Sequence, residues 1–459
     1  MLRRTFMRPC LVTQKQLRDV VARLDSFEKE VVSLKAFRAA VETVSPEVAA
    51  AAETLSKQRW EQHQAARKPE INNSALLENP LTPDEFGELY QFYAEKPHRP
   101  VLLDNIMNIN NITDLINHAK MFHREFSVRV AKRAATLNNA PLGLGRMSAI
   151  EELRKMYEWS FADLRSVEAP VDRESALALD RVVRRVYLRH QSGRPLMLDG
   201  LRQLTHREGI TRNELRNNMD LYKDYEPLQD TFEHFVSARA KLRFLLVNYM
   251  ELSHRLLDIP AFDPSSTHPV PPHNLFGHAE NTFAGTICRE TSMVKLVEYA
   301  KREAEEKFPD IERYDDDFPK VSIRVVGDPN LTFIGFPQNT VQIITAMIEA
   351  AIRANLRRSD DNGVLPTPVN IVIAQRPGCS EIGVRVSDTA GGIPFHELPM
   401  SLAYLYNCDI DDPHLIELPY VAVLAKTFGG HLHVSSIDGY GTDRVLYTPA
   451  GKSLLKMAL

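Results

Sequence analysis

The texture of the chain changes once, and that change limits what it can fold into. From Pro100 to about Asp258, apolar residues recur at helical spacing in long segments: Ile112 to Leu137, Ser148 to Val167, Glu174 to Arg189 and Gln229 to Leu257. Each is long enough to cross a domain, which predicts a helical bundle. A Pro/His-rich stretch follows, IPAFDPSSTHPVPPHNLFGH, whose composition reads as a linker or ordered loop that packs no core. Beyond it, short β-branched runs take over: VSIRVV, LTFIGF, VNIVIAQ, EIGVRVSD, HLHVSSI and RVLYTP. Helical patterns at Met293 to Lys307, Asn339 to Arg357 and Leu415 to Lys426 alternate with them. Mixed strands covered by long helices predict an α+β sandwich.

Upstream, Thr13 with Gln16 makes a capping box, and two heptad positions follow (Leu17, Leu24, Val31 and Val20, Phe27, Leu34, Val41). Ser45-Pro46-Glu47 breaks this helix and starts an Ala-rich one, so residues 13–67 read as a helical hairpin. Thr82-Pro83-Asp84-Glu85 caps a further helix running to about Glu95. The first residues, MLRRTFMRPC, carry Arg3, Arg4 and Arg8 with no acid before Asp19, the character of a mitochondrial import segment. The expected division is an import segment over 1–12, a helical extension over 13–99, a helical bundle over 100–262, a Pro-rich linker over 263–280 and an α/β domain over 281–459.

A chain of 459 residues exceeds one ordinary core, which agrees with that division. Lys and Arg number 56 against 60 Asp and Glu, so a broadly basic nucleic-acid binder is not expected, and nucleic acid is not expected as the main partner. No apolar run approaches the ~20 residues that span a bilayer. The four cysteines, Cys10, Cys288, Cys379 and Cys408, form no CxxC pair, against a structural zinc site and for a reducing compartment.

Several strings then point to one family. Ser387-Asp388-Thr389-Ala390-Gly391-Gly392-Ile393-Pro394 resembles the adenine-binding turn of the GHKL ATPases, and Gly439-Tyr440-Gly441-Thr442-Asp443 their last nucleotide-contacting turn. Gly363-Val364-Leu365-Pro366 and the helix around Met347 to Ala354 fit the same order. Glu125 to Ala131, Arg189-His190 with Pro195, and Arg239 to Leu246 resemble helices of the mitochondrial protein kinases, the pyruvate dehydrogenase kinases and the branched-chain α-ketoacid dehydrogenase kinase. The resemblance implies a four-helix bundle followed by a Bergerat-type (GHKL) α/β sandwich, a mitochondrial matrix location, and transfer of the γ-phosphate of MgATP to serines of a dehydrogenase complex.

Compared with that family, the chain departs on the phosphate side. Alignment on Arg353-Ala354 puts Ala346 where the family has a Glu general base and Ala350 where it has the Asn that holds Mg²⁺; methyl groups do neither job. Glu349 and His190 are the remaining catalytic candidates. Leu418-Pro419 is preceded by Asp411-Asp412-Pro413-His414-Leu415-Ile416-Glu417, with no glycine to let backbone N–H groups approach phosphates, and with acids that would repel them. Arg353, Asp388, Gly392 and Thr442 remain as a vestigial nucleotide site. These departures lead to the expectation of a catalytically inactive kinase-like protein (a pseudokinase) without bound cofactor or metal. It would act as a structural or regulatory subunit of a large mitochondrial assembly: a respiratory complex, the ATP synthase, the mitoribosome or a 2-oxoacid dehydrogenase, in the matrix or at the matrix side of the inner membrane. The alternatives are a divergent ATP- and Mg²⁺-dependent serine kinase of a 2-oxoacid dehydrogenase complex, and a nucleotide sensor without turnover.

Overall fold

The computed structural model describes residues 83–211, 214–215, 223–259, 276, 278–308, 319–408 and 414–450. The import segment and the hairpin anticipated within residues 1–82 lie outside the described residues, as do Asp411 and Asp412.

The first part is helical throughout: α1 (Pro83–Glu95), α2 (Leu103–Met107), α3 (Ile112–Asn138), α4 (Ser148–Arg165), α5 (Arg173–Arg189), α6 (Gly193–Glu208) and α7 (Glu226–Leu257). The ends follow local chemistry. Asn111 caps α3 by accepting from the Asp114 N–H at 2.9 Å, and Asp172 and Ser175 form a capping box on α5. Gly209 closes α6 in the left-handed conformation, φ 70°. The long helices α3, α4, α5 and α7 form the bundle, with α6 laid against α4. Its centre is a stack of Phe122 on Tyr249, with centroids 4.8 Å apart and 7° between planes, continued by Phe126 at 5.1 Å.

The second part holds β1 (Phe283–Ala284), β2 (Ile287–Ser292), α8 (Met293–Glu306), β3 (Val321–Gly327), β4 (Thr332–Gly335), α9 (Pro337–Asn362), β5 (Val369–Gln375), β6 (Glu381–Asp388), α10 (Tyr404–Asn407), α11 (Glu417–Thr427), β7 (His431–Ile437) and β8 (Gly441–Pro449). The main sheet runs β3-β5-β6-β8-β7, with β3 and β5 parallel and the other pairs antiparallel. A smaller antiparallel sheet runs β1-β2-β4. Alternate residues of β5 and β6 (Ile371, Ile373, Val384, Val386) are buried, as period-2 patterning requires. They meet α9, whose Met347, Ile348, Ala351 and Ile352 have no exposed surface. The expected α+β sandwich after a helical bundle is what the chain forms. The Pro/His-rich stretch is a partial correction: its Phe276 and His278 are buried, Phe276 edge-on to Tyr299 at 5.1 Å and His278 Nε2 accepting from the Ser292 N–H at 2.9 Å. Composition concealed two core side chains among prolines.

The two parts pack along α7. Phe244 of α7 meets Phe336, just before α9, at 5.3 Å, and Phe428, just after α11, at 5.7 Å; Phe336 and Phe428 are 4.9 Å apart. Further along α7, Phe232 packs on Tyr404 and Gln229 accepts from the Tyr404 N–H at 2.7 Å. Phe244→Ala is expected to lower the unfolding free energy by about 3–5 kcal/mol, measured by urea denaturation. A loss within the ~0.5 kcal/mol of an ordinary surface change would show that the ring cluster does not join the parts.

Candidate functional site

Strand β6 ends at Asp388 and the chain turns through Thr389 to Ile393. The Asp388 side chain is buried and both its oxygens are engaged: Oδ2 accepts from Arg444 Nη1 at 2.5 Å and Oδ1 from the Ala390 N–H at 3.0 Å. Arg444 lies on β8, two residues after Thr442 and so on the same face, and is itself buried. That spacing was the available signal for a residue that motif reading missed.

The turn is stapled to the β7–β8 hairpin. Gly391 N–H donates to the Tyr440 carbonyl at 3.0 Å. Ile393 N–H donates to Ser436 Oγ at 2.7 Å, and Ser436 Oγ donates to the Gly441 carbonyl at 3.0 Å and stands 3.0 Å from Thr442 Oγ1. Gly392 has φ 76°, and a Cβ there would sit 2.1 Å from the Ile437 carbonyl oxygen. Asp388, Gly392 and Thr442 therefore converge at one end of the sheet. Helix α9 grips the other side: Arg358 donates to the Thr389 carbonyl, and Thr389 Oγ1 to Thr367 Oγ1 at 2.7 Å. Thr367 Oγ1 in turn donates to Asn355 Oδ1 at 2.8 Å.

Two turns earlier on α9, the departures found in the sequence acquire neighbours. Ala346 is buried and Ala350 half-buried. Glu349 is buried; its Oε1 accepts from Lys307 Nζ at 2.6 Å and its Oε2 lies 3.9 Å from Arg353 Nη2. The Arg353 guanidinium sits 4.9 Å from the Phe308 ring, and burial draws its pKa below the usual value while Glu349 and Glu417 oppose that shift. Facing it, His414 stands among Arg353, Glu349, Glu417 and Arg357; burial first, then the guanidiniums, lowers its pKa and favours the neutral ring. Glu417, at the start of α11, pairs with Arg194 of α6 at 2.5 Å, and Arg194 also lies 4.0 Å over Tyr420.

His190 is not brought to this site. It lines a small cavity of the helical part with Tyr157, Tyr187, Arg239 and Arg243. Its Nε2 is 2.9 Å from Ser160 Oγ, and its carbonyl accepts from Arg239 at 3.0 Å. Burial, reinforced by Arg239 and Arg189, pushes its pKa down to about 3, so the ring is neutral in the fold.

The family implies Mg²⁺, and the donor set does not suit it. A hard divalent cation needs several oxygen ligands with charge to offer. Among the described residues here, Asp388, Glu349 and Glu417 each already face an arginine or lysine, and positions 346 and 350 carry methyl groups.

A family model described as mitochondrial branched-chain alpha-ketoacid dehydrogenase kinase matches residues 100–288. A mitochondrial [pyruvate dehydrogenase (acetyl-transferring)] kinase of Arabidopsis thaliana is 25% identical over 351 residues, covering 73% of this chain and 85% of that protein. Isozyme 1 of the same kinase from Rattus norvegicus is 21% identical over 400 residues, covering 83% of each. The catalytic domain of the histidine kinase ThkA overlies 36% of this chain at 12% identity with a TM-score of 0.27, a likeness too loose to bear weight. The family resemblance read from the ordered motifs stands. The expectation of a catalytically inactive chain is corrected: the relatives that match across most of the chain are named as kinases. The inactive reading rested on the missing base, metal ligand and phosphate-loop glycines. The fold adds that Glu349, already a candidate there, pairs with Lys307, and that the Glu417 charge expected to repel phosphates is paired with Arg194.

Two outcomes follow from the geometry. Gly391 and Gly392 both have positive φ, but only Gly392 has an atom within 4 Å of an added Cβ. Gly391→Ala is expected to cost the left-handed strain alone, about 1–2 kcal/mol, and Gly392→Ala distinctly more, compared by urea denaturation. For His190, the unfolded ring takes a proton below its ordinary value of 6.5 while the folded ring stays neutral to about 3, so stability falls as pH drops through that window. His190→Gln is expected to flatten this loss, read from urea midpoints across pH; His118, lowered to about 4 by burial, and His123, His278 and His414, also lowered by burial, contribute to the slope that remains.

Proposed function

We propose that this chain is an ATP-dependent protein kinase acting on a mitochondrial 2-oxoacid dehydrogenase complex in the matrix. The observation that carries the reading is colinearity. Relatives named as pyruvate dehydrogenase kinases match the helical part and the α/β part in one continuous order, over 73% and 83% of this chain. In this reading the helical part (100–262) meets the complex and the α/β part (281–459) holds the nucleotide.

The residues at the sheet end suit an adenine. Each carboxylate oxygen has capacity for a second hydrogen bond, so Asp388 can accept from the adenine amino group while keeping Arg444 and Ala390. Gly392 lets the turn's backbone pack directly on Ile437, and Thr442 Oγ1 against Ser436 Oγ helps to hold the turn in the shape the base would meet. Phosphoryl transfer asks chiefly for positioning and charge stabilisation. In this reading Glu349 on α9 receives the proton of a substrate serine, and Arg353 is the cation beside it.

The test is phosphate incorporation from γ-labelled ATP into purified acetyl-transferring pyruvate dehydrogenase and into branched-chain α-ketoacid dehydrogenase. Incorporation into one of them is expected, reduced by about 10²–10⁴ in Glu349→Gln. Nucleotide binding with no incorporation into either complex would overturn the kinase reading in favour of a sensor.

A further inference from the structure

Side-chain cations gather where α9 meets the start of α11. Lys307 and Arg353 lie against Glu349, Arg194 against Glu417, and Arg353 and Arg357 both act on His414 between them, with Glu303 4.0 Å from Lys307. With His414 neutral, the cations outnumber the carboxylates among the described residues there. Two of these cations come from outside those two helices: Lys307 follows α8, and Arg194 belongs to α6 in the helical part.

We infer that this chain holds the phosphates of a nucleoside di- or triphosphate with the side chains of Arg353, Arg357 and Lys307, so that nucleotide affinity does not depend on a divalent cation. The inference rests on the proposed nucleotide site and concerns how that site meets its ligand's charge. A polyphosphate must be neutralised by metal, by backbone N–H groups or by side-chain cations. The first route finds no suitable donors among the described residues. The second needs glycines that residues 414–418, ahead of and entering α11, do not contain. The third is present. Guanidinium groups match phosphate oxygens in planar, two-point geometry and stay charged throughout the accessible pH range. Arg353 is preorganised for the task by its ring contact with Phe308, which limits its rotamers.

The carboxylates act as placeholders. Glu349 holds Lys307 and Arg353, and Glu417 holds Arg194, so the cations remain in position until a better anion arrives. Binding exchanges carboxylate–cation contacts for phosphate–cation contacts. A metal-free nucleotide carries more negative charge than its magnesium complex and is the better competitor in that exchange.

Isothermal titration calorimetry of the full chain with ADP and with ATP, in Mg²⁺ and in EDTA, tests this. Equal or tighter binding in EDTA is expected. Arg353→Met, which keeps contact with Phe308 but removes the charge, should weaken binding about tenfold or more, and Arg353→Lys should recover part of it. Affinity raised tenfold or more by Mg²⁺, or left unchanged by Arg353→Met, would overturn the inference while leaving the kinase reading intact. No binding in either buffer would overturn both.

Discussion

The contact on which the site depends is the cluster of three buried rings, Phe244, Phe336 and Phe428. Phe336 immediately precedes α9 and Phe428 immediately follows α11, so the two helices that frame the candidate site are both anchored on one turn of α7. Buried aromatic rings supply large apolar area with few rotatable bonds, and their edge-on packing fixes angle as well as distance. The anchor therefore sets how wide the gap between α9 and α11 stands. It also explains why a 32-residue helix of the bundle is needed by the α/β part: the same helix supplies Phe232 and Gln229 to α10.

Within that frame the site is built of compensated charges. Asp388–Arg444 is almost wholly buried, whereas Glu349–Lys307 and Glu417–Arg194 are both partly exposed, to about the same degree. Desolvation makes the first pair structural: breaking it leaves a charge in a low-dielectric interior, whereas the partly exposed pairs can exchange partners at less cost. In the proposed nucleotide site the gradient would run from the adenine end to the phosphate end. A rigid end for the part of a ligand that is always the same, and a labile end for the part that reacts, is a sensible division within one pocket.

How much of this the sequence disclosed follows from the range of each signal. Strand and helix periods are local, so the bundle and the sandwich were readable, and α9 differs from its expected span only because Pro337 starts it earlier and Gly363 stops it later. Asp388 and Gly392 were readable because the contiguous string from Ser387 to Pro394 resembles a known adenine-binding turn, and the φ of 76° at Gly392 gives the physical reason for its glycine. Lys307 was not, since its partner Glu349 lies 42 residues away, nor Arg194, whose partner Glu417 lies 223 residues away. Long-range ion pairs leave no local pattern. The same blindness produced the mistaken expectation of inactivity: Ala346 and Ala350 are visible losses, whereas charges delivered from α6 and from beyond α8 are invisible until the chain is folded.

The start of α11 shows why those delivered charges matter. A helix N-terminus favours an anion through its exposed N–H groups, and Glu417, in the first turn, already serves that preference. Arg194 then neutralises Glu417 from the helical part and rests on Tyr420, one turn further along the same helix. A phosphate entering here competes with an internal carboxylate for both the helix end and the guanidinium. Affinity is thus a difference between two charge-assisted arrangements, and it is sensitive to the placement of α6. In a site built on glycines, geometry is set by the backbone of one loop. Here it is set by the packing of two domains, which makes the seam along α7 part of the proposed binding site.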